Sequence, residues 1–309
     1  MNSAAPPLVS IITPSYNQGQ FLEETIRSVL EQDYPNVEYI VIDGGSTDES
    51  VAIIGKYADR VSYWVSEPDR GQSHAINKGW ERSHGSIVAW LNSDDAYRPS
   101  AISRAVEALL AHPEASMVCG NCDRIDARGN LLTTLRPQVG PVEGWVQGKC
   151  WAPQPAVFMR SEIVRRSGSL VAEDLHVVMD FDLWLRLAAE APAVCLDGPA
   201  LALDREYPER KTNAFYARRM DEYRTVLERF YRRYGDRPEL RRVRRSAFAW
   251  VYFRLASAAL SDGRAYPDGL RWLVRSLLLD PGPARHSWKH AGGIVKHGLR
   301  QLVFRPGKA

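Results

Sequence analysis

Two carboxylates stand side by side in the segment Asn92-Ser93-Asp94-Asp95. Desolvated at about 4 Å in an effective dielectric near 20, they repel by roughly 4 kcal/mol. Exposure, an arginine or a divalent cation must offset that. Asp and Asn oxygens are hard ligands that suit Mg²⁺ or Mn²⁺, ions that commonly bridge substrate phosphates. Read alone, the pair is equally a solvated turn before the next helix. Asp43-Gly44-Gly45 also has two readings. Its carboxylate suits a base or ribose and its glycines admit a ligand against the backbone, yet the tripeptide is also a plain turn. A third acid, Asp180, shares a helical face with Leu183, Trp184 and Leu187. It suits either a proton acceptor or the cap of a helix start.

The elements around these acids follow a simple order. Apolar runs at 8–14, 37–43, 61–67 and 86–92 read as buried strands, and helical periodicity falls between them at 21–32, 48–58 and 71–83. Strands alternating with helices predict a mostly parallel central sheet with helices on both faces. Such sheets bind ligands at the C-terminal ends of their strands, where Asp43 and the Asp94/Asp95 pair fall. A helix is expected at 100–112 and a strand pair over 115–137, joined at Arg128-Gly129. Residues 137–176 read as loops and short pieces, with a helix starting near Asp180 and short strands over 192–207.

Taken in order, TPSYN (13–17), VIDGGSTDES (41–50), SEPDRGQSHAINKG (66–79), WLNSDD (90–95) and MDFDLWLRLA (179–188) closely resemble glycosyltransferase family 2. The resemblance covers roughly residues 8 to 210. It implies the GT-A fold, a nucleotide-diphospho-sugar donor (UDP-, GDP- or dTDP-linked), a divalent cation (Mg²⁺ or Mn²⁺) and transfer with inversion. On that basis Thr13, Pro14 and Tyr16 line the nucleotide pocket and Asp43 contacts the base, with Gly44 where many members carry a second Asp. Asp69, Asn77 and Lys78 border the nucleotide-sugar. The metal rests on Asp94 with Asp95 helping, since Asn92 replaces the first acid of the family's Asp-x-Asp motif. Asp180 aligns with the general base, Met179 standing where Glu is usual, and Asp182 supports it. Arg205 and Lys211 add positive charge near the diphosphate, while Glu206 and Tyr207 stand where many relatives carry a His. Trp151 and Gln154, with Arg160, match a segment near the acceptor entrance. Trp151 and Trp184 are candidates to stack on a sugar, although a Trp at helical spacing such as Trp184 is more often a core residue. The implied acceptor is a glycan or lipid-linked molecule of cell-surface polysaccharide or glycolipid synthesis. A silent nucleotide-sugar-binding scaffold and a sugar-phosphate nucleotidyltransferase are the alternatives; the Gly-rich start of the latter is absent.

Composition sets the remaining limits. The 309 residues are 45% apolar and 25% charged, with mean hydropathy −0.32, the profile of a globular chain. Four scattered cysteines predict no disulfide framework, and Cys119-Gly-Asn-Cys122 has no second half for a zinc site. No signal peptide or spanning segment is expected, so a cytoplasmic protein is, peripheral on the inner face of the membrane. Charge is unevenly placed: residues 204–309 hold 24 Lys/Arg against 11 Asp/Glu, the remainder 16 against 26. Two parts are therefore expected, a catalytic domain over 1–211 and a basic helical C-terminal extension over 212–309. The extension suits an anionic membrane surface or packing on the catalytic domain; no nucleic-acid motif accompanies its charge.

Overall fold

The computed structural model describes residues 5–168, 170–210, 216–262 and 266–283. They fall into two compact units, Met1–Val142 with Cys150–Arg210, and Glu143–Lys149 with Lys211–Ala309.

The first unit is built on a twisted sheet. Strand β1 (Val9–Ser15) is buried along its whole length, as a central parallel strand covered on both faces must be. β2 (Val37–Asp43) and β4 (Ile87–Trp90) flank it, both parallel, and β3 (Tyr63–Ser66) adds in parallel beyond β2. Helices α1 (Gly19–Leu30), α2 (Ser50–Lys56) and α3 (Gln72–Arg82) make the crossovers. On α1, Leu22, Thr25, Ile26 and Val29 form the buried stripe, an i, i+3, i+4, i+7 pattern. This half follows the alternation read from the sequence.

The other half follows it less closely. β6 (Met117–Gly120) and β10 (Ala193–Leu196) pair in parallel, and β9 (Val157–Arg160) lies antiparallel between β6 and β4. The order among the described residues is β10-β6-β9-β4-β1-β2-β3. A stretch expected to be loops thus supplies an interior strand. The expected strand over 115–126 changes sheets near Asn121. Its second half, β7 (Cys122–Asp126), pairs with β8 (Leu131–Leu135) and β11 (Ala202–Glu206) in a small sheet that β5 (Ala96–Tyr97) completes. Helix α4 (Ala101–Ala111) precedes β6, and α6 (Ser161–Ser167) and α7 (Met179–Glu190) follow β8; α5 (Val142–Val146) lies almost wholly in the short segment Glu143–Lys149 that belongs to the second unit. α7 starts where the periodicity placed it.

The second unit contains α8 (Tyr216–Tyr234), α9 (Pro238–Asp262) and α10 (Tyr266–Leu279). Gln147 of the short inserted segment donates to Ser246 Oγ at 2.5 Å, and a side chain at Gly148 would collide with Trp250. Among the described residues no helix is long and apolar enough to cross a membrane. Lys211 and the basic stretch 284–309 lie outside the described residues.

Candidate active site

Parallel pairing brings the strand ends level. Ser15 of β1 lies beside Asp43 of β2, which lies beside Ser66 of β3; on the other side Ile12 pairs with Trp90, two residues before Asn92. Asp43 and the Asp94/Asp95 pair, distant in sequence, therefore come to one edge of the sheet.

Asp43 is fully buried and its two oxygens are taken by the loop that follows it and by Ser66 of β3. Oδ2 accepts from Gly45 N, Ser46 N and Ser66 Oγ at 3.1, 2.9 and 2.6 Å, and Oδ1 accepts from Ser46 Oγ at 2.5 Å. The direct base contact implied by resemblance is corrected here: this carboxylate shapes the loop that follows it. Ser46 Oγ in turn accepts from Asn17 N at 2.8 Å, and Asn17 Oδ1 accepts from Thr47 N, tying the β1 and β2 loops together. Gly44 leaves room for another acid. A Cβ there would stand 2.7 Å from the Asp69 carboxylate, so Asp69 occupies the space over Gly44 and also accepts from Gly71 N at 2.6 Å.

Thr13 is a correction too. It is buried, and its hydroxyl accepts from Tyr39 in the core, which leaves it no surface for a ligand. Pro14 is buried at the strand end, whereas Tyr16 is exposed. Between them Ser15 Oγ, and a few residues on Gln18 Oε1, are buried polar atoms without a partner. Such atoms are costly unless something polar meets them. Asn77 makes reciprocal bonds with the Val171 backbone, and Lys78 pairs with Glu67. Both hold the rim of the site through their neighbours.

The Asn92–Asp95 turn is held from three directions. Thr25 Oγ1 on α1 donates to the Ser93 and Asp95 carbonyls at 3.0 and 2.7 Å. Asn92 donates to Asp95 Oδ2 at 3.2 Å and to Gln154 Oε1 at 2.9 Å, and accepts from Gln72 at 2.7 Å. Gln154, assigned to the acceptor side, also donates to the Trp90 carbonyl and so braces the turn. From β11, Arg205 N donates to Asp95 Oδ1 at 3.1 Å, while the Arg205 guanidinium reaches the Asp94 carbonyl and Glu24 at 3.0 and 2.6 Å. Tyr207 donates to Asp94 Oδ2 at 2.8 Å and accepts from Gln18 Nε2 at 3.2 Å. Arg210 pairs with Asp204 and with Glu206.

This arrangement is short of positive charge. Burial pushes the Asp94 carboxyl up, against the Tyr207 hydrogen bond and the Arg210 charge. Asp95 is pushed well up by burial and by the charges of Asp94 and Asp204. Among the described residues no three His, Cys, Asp or Glu side chains gather to hold a cation by themselves. The donor set fits a Mg²⁺ or Mn²⁺ that takes one carboxylate, Asp94, and draws its other ligands from a diphosphate and water. Asp95, buried with an oxygen on Arg205 N and the other on Asn92, fits a supporting role behind Asp94 rather than direct ligation.

α7 is brought to the same edge by packing. Trp184 stacks on Trp90 with centroids 5.6 Å apart, and Ser73 Oγ donates to Met179 Sδ at 2.7 Å, next to the Gln72 that bonds Asn92. Asp180 lies in the first turn of α7, one helical turn before Trp184, and its Oδ1 accepts from Phe181 N at 2.7 Å. Both Asp180 and Asp182 sit in the first turn, where the helix dipole favours anions. Asp182 pairs with Arg186 at 2.8 Å, and Arg186 in turn reaches Ser167 and the Leu170 carbonyl. Trp184 is only 2% exposed and cannot offer its ring to a sugar, so it is a core residue. Trp151 is 40% exposed and remains an available platform. Arg160 serves the fold, bonding the Ala115, Leu109 and His112 carbonyls at the end of α4. Gln18 and Gln72 are absent from the residues expected at the site, and Tyr207 figures there only as a departure from the His of many relatives. Tyr207 stands two positions after Arg205, and alternation along a strand puts the two on one face; that spacing was the available signal.

A parallel sheet whose strand ends carry a carboxylate turn, with a second acid on a packed helix, is the architecture of the GT-A nucleotide-sugar transferases. The comparisons agree. The profile of Glycosyl transferase family 2 matches residues 10–152. An uncharacterized glycosyltransferase of Mycobacterium tuberculosis is 34% identical over 189 residues, 59% of this chain and 69% of that one. This chain belongs to glycosyltransferase family 2. A putative teichuronic acid biosynthesis glycosyltransferase of Bacillus subtilis, TuaG, is 38% identical over 107 residues, 34% of this chain and 42% of that protein. Relatives differ in length, and the chain spans 32% of an uncharacterized Rickettsia conorii glycosyltransferase that is 31% identical over 200 residues. In fold it resembles S. aureus TarS 1-349, solved with UDP-GlcNAc, at TM-score 0.65 and 14% identity, covering 92% of each chain. It also resembles the mannosyltransferase PcManGT from Pyrobaculum calidifontis, solved with GDP-Man and Mn²⁺, at TM-score 0.62 and 20% identity, covering 98% of this chain and 90% of that one.

Proposed function

We propose that this glycosyltransferase is a cation-dependent, inverting enzyme that moves a sugar from a nucleoside diphosphate to the hydroxyl of a glycan or lipid-linked acceptor, in cell-surface polysaccharide or glycolipid synthesis at the inner face of the membrane. The observation that carries the reading is the packing of α7 on the end of β4 through Trp184 and Trp90, which supports a place for Asp180 near Asp94. Asp180 takes the proton of the acceptor hydroxyl as its oxygen bonds the anomeric carbon. The bond from that carbon to the diphosphate oxygen breaks on the opposite face, and the nucleoside diphosphate leaves with the electron pair. A positioned base is worth roughly 10² to 10⁴ in rate. A bound cation would stabilise the charge growing on the leaving diphosphate. Asp94 would hold it, Asp95 and Arg205 fix the turn, and Ser15 Oγ and Gln18 Oε1, buried without a partner, are polar atoms that a bound nucleotide would satisfy. The likeness to TuaG, a putative teichuronic acid biosynthesis glycosyltransferase, supports a polysaccharide acceptor.

The test is a thermal-shift series with UDP-, GDP- and dTDP-sugars, each with and without Mn²⁺, followed by a nucleotide-release assay with the best donor. The expected result is stabilisation by one nucleotide class that requires the cation, then release of the nucleoside diphosphate. Stabilisation with no release over any acceptor tried would favour a silent binding protein, to which Asn92 and the Tyr207 bond on Asp94 would then belong.

A further inference from the structure

The transfer chemistry makes no use of one face of α10. The opposite face packs on α9. Trp272 stacks on Tyr252 with centroids 5.3 Å apart, Leu273 packs on Phe253, Ser276 Oγ donates to the Ala249 carbonyl at 2.7 Å, and a side chain at Gly269 would strike Leu260. These positions are i, i+3, i+4 and i+7, the stripe that a surface helix buries. The remaining face would be polar if it met only water. Instead Leu270, Val274, Leu277 and Leu278 are all exposed, Leu278 by 74%.

At 100° per residue these four side chains lie within an arc of about 100°. The exposed Arg271 and Arg275 continue that arc, and Arg245 of α9 donates to the Leu278 carbonyl at 3.3 Å. Residues 216–283 carry 15 Arg against 8 Asp/Glu, so the stripe lies in a basic surround. Scattered apolar side chains on a surface need no explanation, but a continuous stripe with an arginine border does. A second copy of the chain would set arginine against arginine across a two-fold axis, which is unfavourable. An anionic lipid surface meets both features, with acyl chains for the leucines and phosphates for the guanidiniums.

We propose that α10 is a docking helix that seats the chain on an anionic membrane, inserting Leu270, Val274, Leu277 and Leu278 and placing Arg271, Arg275 and Arg245 at the headgroups. The proposal takes its purpose from the reading above, in which a glycan or lipid-linked acceptor is met at the membrane, but its test needs no turnover.

The experiment is co-sedimentation of the full chain with phosphatidylcholine vesicles with and without phosphatidylglycerol, at low and high salt. Binding is expected to depend on phosphatidylglycerol and to weaken with salt. Val274→Asp with Leu278→Asp is expected to lower partitioning by at least about tenfold, and each of Arg271→Glu and Arg275→Glu by about fivefold. All four positions are exposed, and circular dichroism melts matching the wild type would show the fold intact. Wild-type protein that ignores anionic vesicles, or variants that bind as the wild type does, would overturn the proposal. So would light scattering in which Val274→Asp/Leu278→Asp splits an oligomer while vesicle binding persists, since the stripe would then be a subunit interface. Release of nucleotide with a soluble acceptor distinguishes the two readings: docking variants that keep it separate membrane seating from transfer, and its absence in a wild type that still binds vesicles counts against the transferase reading alone.

Discussion

The Tyr207 hydroxyl donates to the Asp94 carboxylate at 2.8 Å and accepts from the Gln18 amide at 3.2 Å. One phenol thereby joins the loop after β1 to the carboxylate proposed to hold the cation. Burial, then the Asp94 charge, holds the phenol well above its ordinary pKa, so it stays a donor at any working pH. A hydrogen bond to a buried charge is worth about 1.5–3 kcal/mol. Tyr207→Phe is therefore expected to fold but to lose about tenfold or more in transfer, with a raised Mn²⁺ requirement. Titration of Mn²⁺ against initial rate checks this. Unchanged cation dependence would mean that Asp94 is positioned without the phenol.

Asp180→Asn keeps the side-chain shape and its bond from Phe181 N but removes the proton acceptor. Transfer is expected to fall at least a hundredfold while nucleotide affinity stays within about twofold. Rate and isothermal titration measured together decide it. Equal loss of both would make Asp180 a binding residue.

The carboxylate turn should leave a mark on stability against pH. The folded-state pKa of Asp95 lies well above its unfolded value. The native state therefore binds the proton more tightly than the unfolded chain, and stability falls as pH rises through the interval between the two pKa values. Asp95→Asn imitates the protonated acid and removes that loss. Its melting temperature relative to wild type is expected to improve from pH 5 to pH 8 in cation-free buffer. A difference that does not change with pH would show that Asp95 titrates normally.

The two tryptophans should separate by their burial. Trp184→Ala removes a ring stacked on Trp90 in the core, and a loss of about 3–5 kcal/mol is expected in urea melts. Trp151→Ala should cost little stability, and any effect should appear as a raised acceptor KM. Weakened acceptor use by Trp184→Phe at unchanged stability would restore Trp184 to the acceptor side.

Much of the first unit could be read from the chain because local rules govern it. Parallel strands buried on both faces are written as apolar runs, as at β1, and the crossover helices carry a 3.6-residue stripe, as in α1. Those patterns, with the ordered motifs, place Asp43, Asp94 and Asp180 at strand ends and a helix start. β9 was illegible for a physical reason: four residues buried inside a sheet show neither alternation nor length enough to differ from a loop. At Asn121 the apolar Met117–Gly120 gives way to the charged Cys122–Asp126, a shift that marks a change of surroundings without saying which strands each half pairs with.

What the sequence alone determined, then, is the identity of the acids and the elements that bear them, because periodicity and turn chemistry are properties of neighbouring residues. Tertiary structure decided which of them still face outward. Asp43 is consumed by Gly45, Ser46 and Ser66, Thr13 and Trp184 are turned into the core, and Tyr207 arrives on Asp94 from 113 residues away. Hydrogen-bond capacity is finite, and only the packed chain shows which neighbours have already claimed it.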